Sequence, residues 1–238
     1  MLSMLFAGII FFLAGFVQGL TGFGSALVAI PLLSFIFDIR TAVPLCMLNG
    51  VVITAYMTFT LRYHLDREKI LPLLTGALPG ILVGVYLLKN SDESFIRCGI
   101  GALLIAYSLY NLVASPRPLN PGKAWGYVAG FLTGTIGAAF SAGGPPAIIY
   151  STLTSWSKDE IKATLTGFFL VIGTLTAAMH ALTGITTLDT LQIFAVTMPF
   201  VLTGTITGSK VSDKINRKTY LNIIYWFLMA MGALMIWS

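Results

Sequence analysis

Charged residues are bunched along this chain, and between the bunches run uncharged, largely apolar stretches over 1–37, 41–61, 70–88, 98–116, 124–157, 163–188, 190–209 and 219–238. Six of these are close to the roughly 20 residues that one helical crossing of a bilayer requires. The stretches 1–37 and 124–157 are longer, and each must hold something other than one straight helix. Within 124–157 stands Ala142-Gly143-Gly144-Pro145-Pro146. Each glycine lowers helix propensity by roughly 1 kcal/mol, and each proline removes a backbone donor and clashes with the preceding turn. This predicts two half-helices, with Gly143 or Gly144 at the break and Pro145 at the first position of the second half, where a missing N–H costs nothing. In 1–37 the corresponding break is expected near Gly22 and Gly24, with Pro31 as the later alternative. Arms of roughly 15 residues rise only about 22 Å, short of a 30 Å hydrocarbon core, so each long stretch is predicted to enter and return on one side.

The chain also repeats itself. At an offset of 115, Ala14, Gly15, Phe16, Gly19, Gly22 and Pro31 fall over Ala129, Gly130, Phe131, Gly134, Gly137 and Pro146. At a slightly larger offset Pro79 and Gly84 fall over Pro199 and Gly204. The order of one long apolar stretch and three ordinary ones occurs twice. Two homologous halves are expected, 1–116 and 117–238, joined by the proline-rich segment Ser115–Lys123. A hairpin followed by three crossings ends each half on the opposite side, so the second half is inverted. That assignment gathers Arg62, Arg67, Lys69, Arg117, Lys123, Lys158, Lys162, Lys210, Lys214, Arg217 and Lys218 on one face and leaves Arg40, Lys89 and Arg97 on the other. The excess of positive charge on the cytoplasmic face then places both termini outside. The predicted fold is all-α and polytopic, two inverted repeats, each a broken-helix hairpin plus three transmembrane helices.

Composition supports a membrane and removes other classes. The 238 residues are 56% hydrophobic and 10% charged, unlike a soluble domain. The net charge of +5 belongs to the short connecting loops, so topology explains it and a nucleic-acid partner is not expected. No basic residue precedes the first apolar stretch and no small-x-small cleavage site follows, so the segment is expected to stay in the mature protein. Cys46 and Cys98 have no metal-ligand spacing and read as small core residues; neither a metal nor a cofactor is expected. The carboxylates lie in or beside loops, where they form no catalytic pair.

Broken helices that meet at the midplane of inverted repeats form a substrate site, and half-helix N-termini suit an anion. The residues expected to touch a small oxyanion are Gly19, Thr21, Gly22, Gly24, Ser25, Gly137, Ser141, Gly143, Gly144 and Pro145, with a further hydroxyl from Thr135. Asn49 reads equally as a substrate contact or as a bond between helices. His180 is a candidate proton relay, placed where its segment begins to leave the bilayer. Isolated glycines such as Gly76, Gly80 and Gly232 read as close helix packing. The favoured function is secondary transport of a small anion held near the midplane. A passive anion channel would use the same site. A membrane-embedded serine hydrolase needs Ser141 and His180 within hydrogen-bond reach, and leaves the duplication and the first break unexplained.

Gly22-Phe23-Gly24-Ser25 with Pro31-Leu32-Leu33, and Gly137 with Ala142-Gly143-Gly144-Pro145-Pro146 and Tyr150, resemble the motifs of the sulfite exporter family named after TauE and SafE, also called the TSUP transporters. The resemblance covers nearly the whole chain in length and layout. Where members often carry a run of glycines after the first, this chain has Phe23 and Ser25. The resemblance implies transport of sulfite, sulfonates or related small organic anions across a bacterial cytoplasmic membrane, in a multi-pass protein whose other partner is the lipid bilayer.

Overall fold

The computed structural model describes residues 2–113, 119–212 and 217–237. Among them are the helices α1 (Leu2–Thr21), α2 (Ser25–Leu33), α3 (Ile39–Leu61), α4 (Arg67–Asn90), α5 (Glu93–Val113), α6 (Lys123–Phe140), α7 (Gly144–Thr152), α8 (Lys158–Leu182), α9 (Leu188–Val211) and α10 (Arg217–Trp237), with a single 3-10 turn at Arg62–His64. Among the described residues six helices are long and apolar enough to cross a membrane: α1, α3, α4, α5, α8 and α9. Several starts are set by local chemistry. Ser157 and Glu160 form a reciprocal capping box at α8, Thr187 and Thr190 do the same at α9, and Asp66 accepts from Glu68 N at α4.

Both long stretches are broken, but not into equal arms. The arms have 20 and 9 residues in the first and 18 and 9 in the second, instead of about 15 each. The first break lies at Gly22–Gly24, where both glycines take φ +95, a conformation with no penalty only for glycine. Pro31 lies inside α2 instead, which continues past it to Leu33 without the bond that an N–H at this position would make to Leu27 O. In the second break Gly143 is the N-cap, so Pro145 occupies the second helical position and not the first. Gly137 aligns with Gly22 in sequence yet sits inside α6, which runs on for another turn to Phe140. The short helix α7 then doubles back along α6, with Tyr150 beside Gly126, Ala147 N bonded to Thr133 Oγ1, and Gly143 against Gly137.

The long helices pack in two matching pairs. Gly76 and Gly80 of α4 abut the backbone of Tyr127 and Phe131 in α6, while Gly204 and Gly208 of α9 abut Phe12 and Phe16 in α1. Both pairs run parallel. Phe12 and Phe16 are 115 residues before Tyr127 and Phe131, so the first alignment is also the register of the contacts. The second is not: Gly204 matches Gly76 in these contacts, not Gly84. An identity of two residues is too short to set a register in a glycine-rich helix. In two further pairs the chains run oppositely. Gly167 and Gly173 of α8 approach Leu65 and Val51, and α5 meets α10 with Gly101 near Ile236 and Asn111 bonded to Tyr225. Gly76, Gly80 and Gly232 therefore serve close packing, as their isolation in sequence predicts.

The polar ends sort the same way. At one end Lys69 of α4 bonds Glu160 of α8, with its ammonium 5.4 Å from the centre of the Trp156 ring. At the other, Lys89 Nζ donates to Thr183 O at 3.1 Å and an Arg40 guanidinium N–H to Ser91 O at 3.0 Å. Arg117, Asp213 and Lys214 lie outside the described residues.

Candidate functional site

The first turns of α2 and α7 line one half-open cavity of about 100 Å³, walled by α3 and α8. That is several times the roughly 10–15 Å³ in which a single water fits. The N–H groups of a first helical turn have no partner within their own helix. Here the long arm of each hairpin supplies one. Gln18 Oε1 of α1 accepts from Ser25 N at 3.2 Å, and Thr133 Oγ1 of α6 accepts from Ala147 N at 3.1 Å. Positions 18 and 133 are again 115 apart. Pro145 and Pro146 have no N–H, so α7 presents Gly144 N, while α2 presents those of Ala26 and Leu27. The polar side chains on the cavity wall are Gln18, Ser25, Thr54, Thr133, Ser141 and Thr176, and among the described residues no charged side chain joins them.

Of the residues expected from sequence, Gly24, Ser25, Gly137, Ser141, Gly143 and Gly144 line this cavity. The others stand elsewhere. A side chain at Gly19 would collide with the backbone of Thr205, so this glycine packs α1 on α9. Thr21 turns its hydroxyl to Val17 O and Phe23 O at 2.9 and 2.6 Å, closing the end of α1. Gly22 lies against the aliphatic stem of Lys162. Pro145 lines a separate apolar groove between α5, α6 and α7. Asn49 is 1% exposed, and its amide donates to Leu45 O at 3.0 Å and Thr197 Oγ1 at 3.1 Å, which is the bond between helices. Thr135 Oγ1 is buried without a partner, away from the cavity wall.

His180 stands inside the protein, three residues before Thr183. It is fully buried in the last turn of α8, with Nε2 2.9 Å from Ala138 O and Nδ1 without a partner. No hydrogen bond joins it to Ser141, so the hydrolase alternative gains no geometric support.

Gln18, Thr54, Thr133 and Thr176 were not singled out from sequence. Gln18 had a signal: it is the one carboxamide in 1–37, a turn ahead of the break. The threonines had none, since hydroxyls recur throughout these apolar stretches and many bond back to their own helix.

Membrane-length helices, with two interruptions that meet at a shared cavity, define a multi-pass membrane protein. The chain belongs to the sulfite exporter TauE/SafE family, whose model matches residues 7–235. It is 24% identical to the probable sulfite/organosulfonate exporter TauE of Cupriavidus necator, over 71% of this chain and 68% of that protein. It is also 24% identical to the probable membrane transporter protein YunE of Bacillus subtilis, over 95% of this chain and 94% of the relative. No solved structure matches the chain.

Proposed function

We propose that this protein is a secondary transporter that moves a small sulfur-containing or organic anion of the sulfite and sulfonate class across the bacterial cytoplasmic membrane. The observation that carries this reading is the convergence of two half-helix N-termini, those of α2 and α7, on one cavity. Such ends favour negative charge, and interrupted backbone at membrane depth is stable only where it is buried or lines a cavity. The substrate class follows the family and the name of the Cupriavidus relative.

The same proposal takes 1–116 and 117–238 as inverted structural repeats. Supporting it are the parallel pairs α1 with α9 and α4 with α6, which exchange equivalent helices, and the antiparallel pairs α3 with α8 and α5 with α10. With Lys69, Arg62 and Arg67 cytoplasmic, both termini are outside. His180, buried beside the second break with one bare ring nitrogen, is the group we assign to carry a proton if transport is coupled to one.

Uptake of labelled sulfite or ethanesulfonate into proteoliposomes tests the proposal. A carrier gives flux that saturates with concentration and is lost in Gly144→Leu, which places a bulky side chain at a residue lining the cavity, beside Ile148 at the start of α7. Flux that stays linear in concentration would assign a channel instead, and no flux of either anion would overturn the substrate class.

A further inference from the structure

Among the described residues the anion site has no charged wall, and that restricts the charge of what it holds. Taking an ion out of water costs free energy in proportion to the square of its charge, so a doubly charged anion is about four times as expensive to enclose as a singly charged one. Each helix N-terminus is equivalent to roughly +0.5 of a charge, so α2 and α7 together supply about +1. That balances one negative charge and leaves a second uncompensated in a cavity lined by Gln18, serines, threonines, glycines and apolar side chains.

The orienting donor is visible as well. Gln18 is 5% exposed and lines the cavity. Because Ser25 N–H donates to its side chain, the oxygen must face Ser25, which turns the Nε2 amine toward the cavity. No hydrogen bond to Nε2 is made among the described residues. Thr176 of α8, 2% exposed, lines the same cavity, and its hydroxyl makes no hydrogen bond among the described residues. Both are donors on residues that line the cavity, without a protein partner among the described residues, and a ligand in that space can complete them.

Resting on the reading of this cavity as the anion site, we propose that it takes one singly charged oxyanion, a sulfonate or hydrogensulfite and not sulfate or doubly charged sulfite, with Gln18 Nε2 and Thr176 Oγ1 as direct donors. Gln18 thereby joins two tasks, since its oxygen holds the start of α2 while its amine holds the ligand.

Calorimetric titration of the purified full chain in detergent tests this, with methanesulfonate, sulfate and sulfite as probes. Methanesulfonate should bind more tightly than sulfate by at least about tenfold. Sulfite should weaken by about tenfold per pH unit once the doubly charged form predominates, the slope of a one-proton linkage, while methanesulfonate stays constant. Gln18→Glu keeps an acceptor for Ser25 N and removes the donor, so methanesulfonate binding should fall at least about tenfold with the fold intact. Thr176→Val, of nearly the same volume, should weaken it severalfold and serves if the glutamate variant does not fold. Sulfate binding equal to methanesulfonate, abolished by Gly144→Leu, would overturn the charge selection and leave the site standing. Methanesulfonate binding unchanged in Gln18→Glu and Thr176→Val would overturn their roles. Binding that survives Gly144→Leu, or none of any probe to the wild type, would overturn the site itself.

Discussion

At Gly24 the backbone takes φ +95, and a Cβ there would meet only Leu27, at 3.9 Å. Space is available but the conformation is not, so Gly24→Ala should destabilise the protein by about 1–2 kcal/mol through strain alone. A lowered thermal midpoint with unchanged oligomeric state in detergent checks this. The two glycines of the second hairpin differ in the opposite sense. A Cβ at Gly143 would collide with Thr133 O and Gly137 backbone, whereas one at Gly137 meets nothing closer than 3.7 Å. Gly143→Ala should therefore lower the midpoint more than Gly137→Ala, and the reverse order would show that the α6–α7 contact is not tight. Residue type alone does not separate such cases. Gln18 and Asn49 are both carboxamides in apolar stretches, yet Gln18 opens on the cavity and Asn49 is consumed by Leu45 and Thr197. Which way each one points is set by the neighbouring helix, and no local pattern encodes that.

Helix by helix, much was legible. Apolar length marks the spans, and Gly143-Gly144-Pro145-Pro146 marks an interruption because no helix continues through that run at low cost. The exact turn was less so. After Gly22 a second glycine follows at 24, whereas after Gly137 come Ala138 and Ala139, strong helix formers that carry α6 onward to Phe140. Local propensity, not the alignment of the two halves, decides where each break falls. The glycine contacts between helices make a further prediction. Gly80→Val and Gly208→Val would each push a side chain into a facing backbone, at Phe131 and Phe16, and each should destabilise by about 1–3 kcal/mol. Gly50→Val, where a Cβ meets nothing within 4 Å, is the control and should melt near the wild type. Equal melting of all three variants would mean that the α4–α6 and α1–α9 contacts are looser than the structure has them.

Across the whole molecule, the direction of each helix is the quantity to test. Lys69 bonded to Glu160 places the C-terminal end of α3 and the N-terminal end of α8 at one pole, and Lys89 bonded to Thr183 O places Asn90 at the other. In a background of Cys46→Ala and Cys98→Ser, single cysteines at the exposed positions Tyr63 and Ser155 should therefore react with an impermeant thiol reagent from the same side of the membrane, and one at Asn90 from the opposite side. Labelling of Tyr63→Cys and Ser155→Cys from opposite sides would rule out the inverted arrangement. The sequence by itself determined a membrane protein and two interruptions, because hydropathy, helix propensity and backbone donors are properties of short segments that hold wherever those segments are placed. Only the tertiary structure decided that α1 pairs with α9 and α4 with α6, that Gly19 and Asn49 serve packing, and that Gln18 and Thr176 share a cavity with the starts of α2 and α7. Those are relations between residues far apart in the chain, and they come into being when glycine-lined faces bring two backbones into contact.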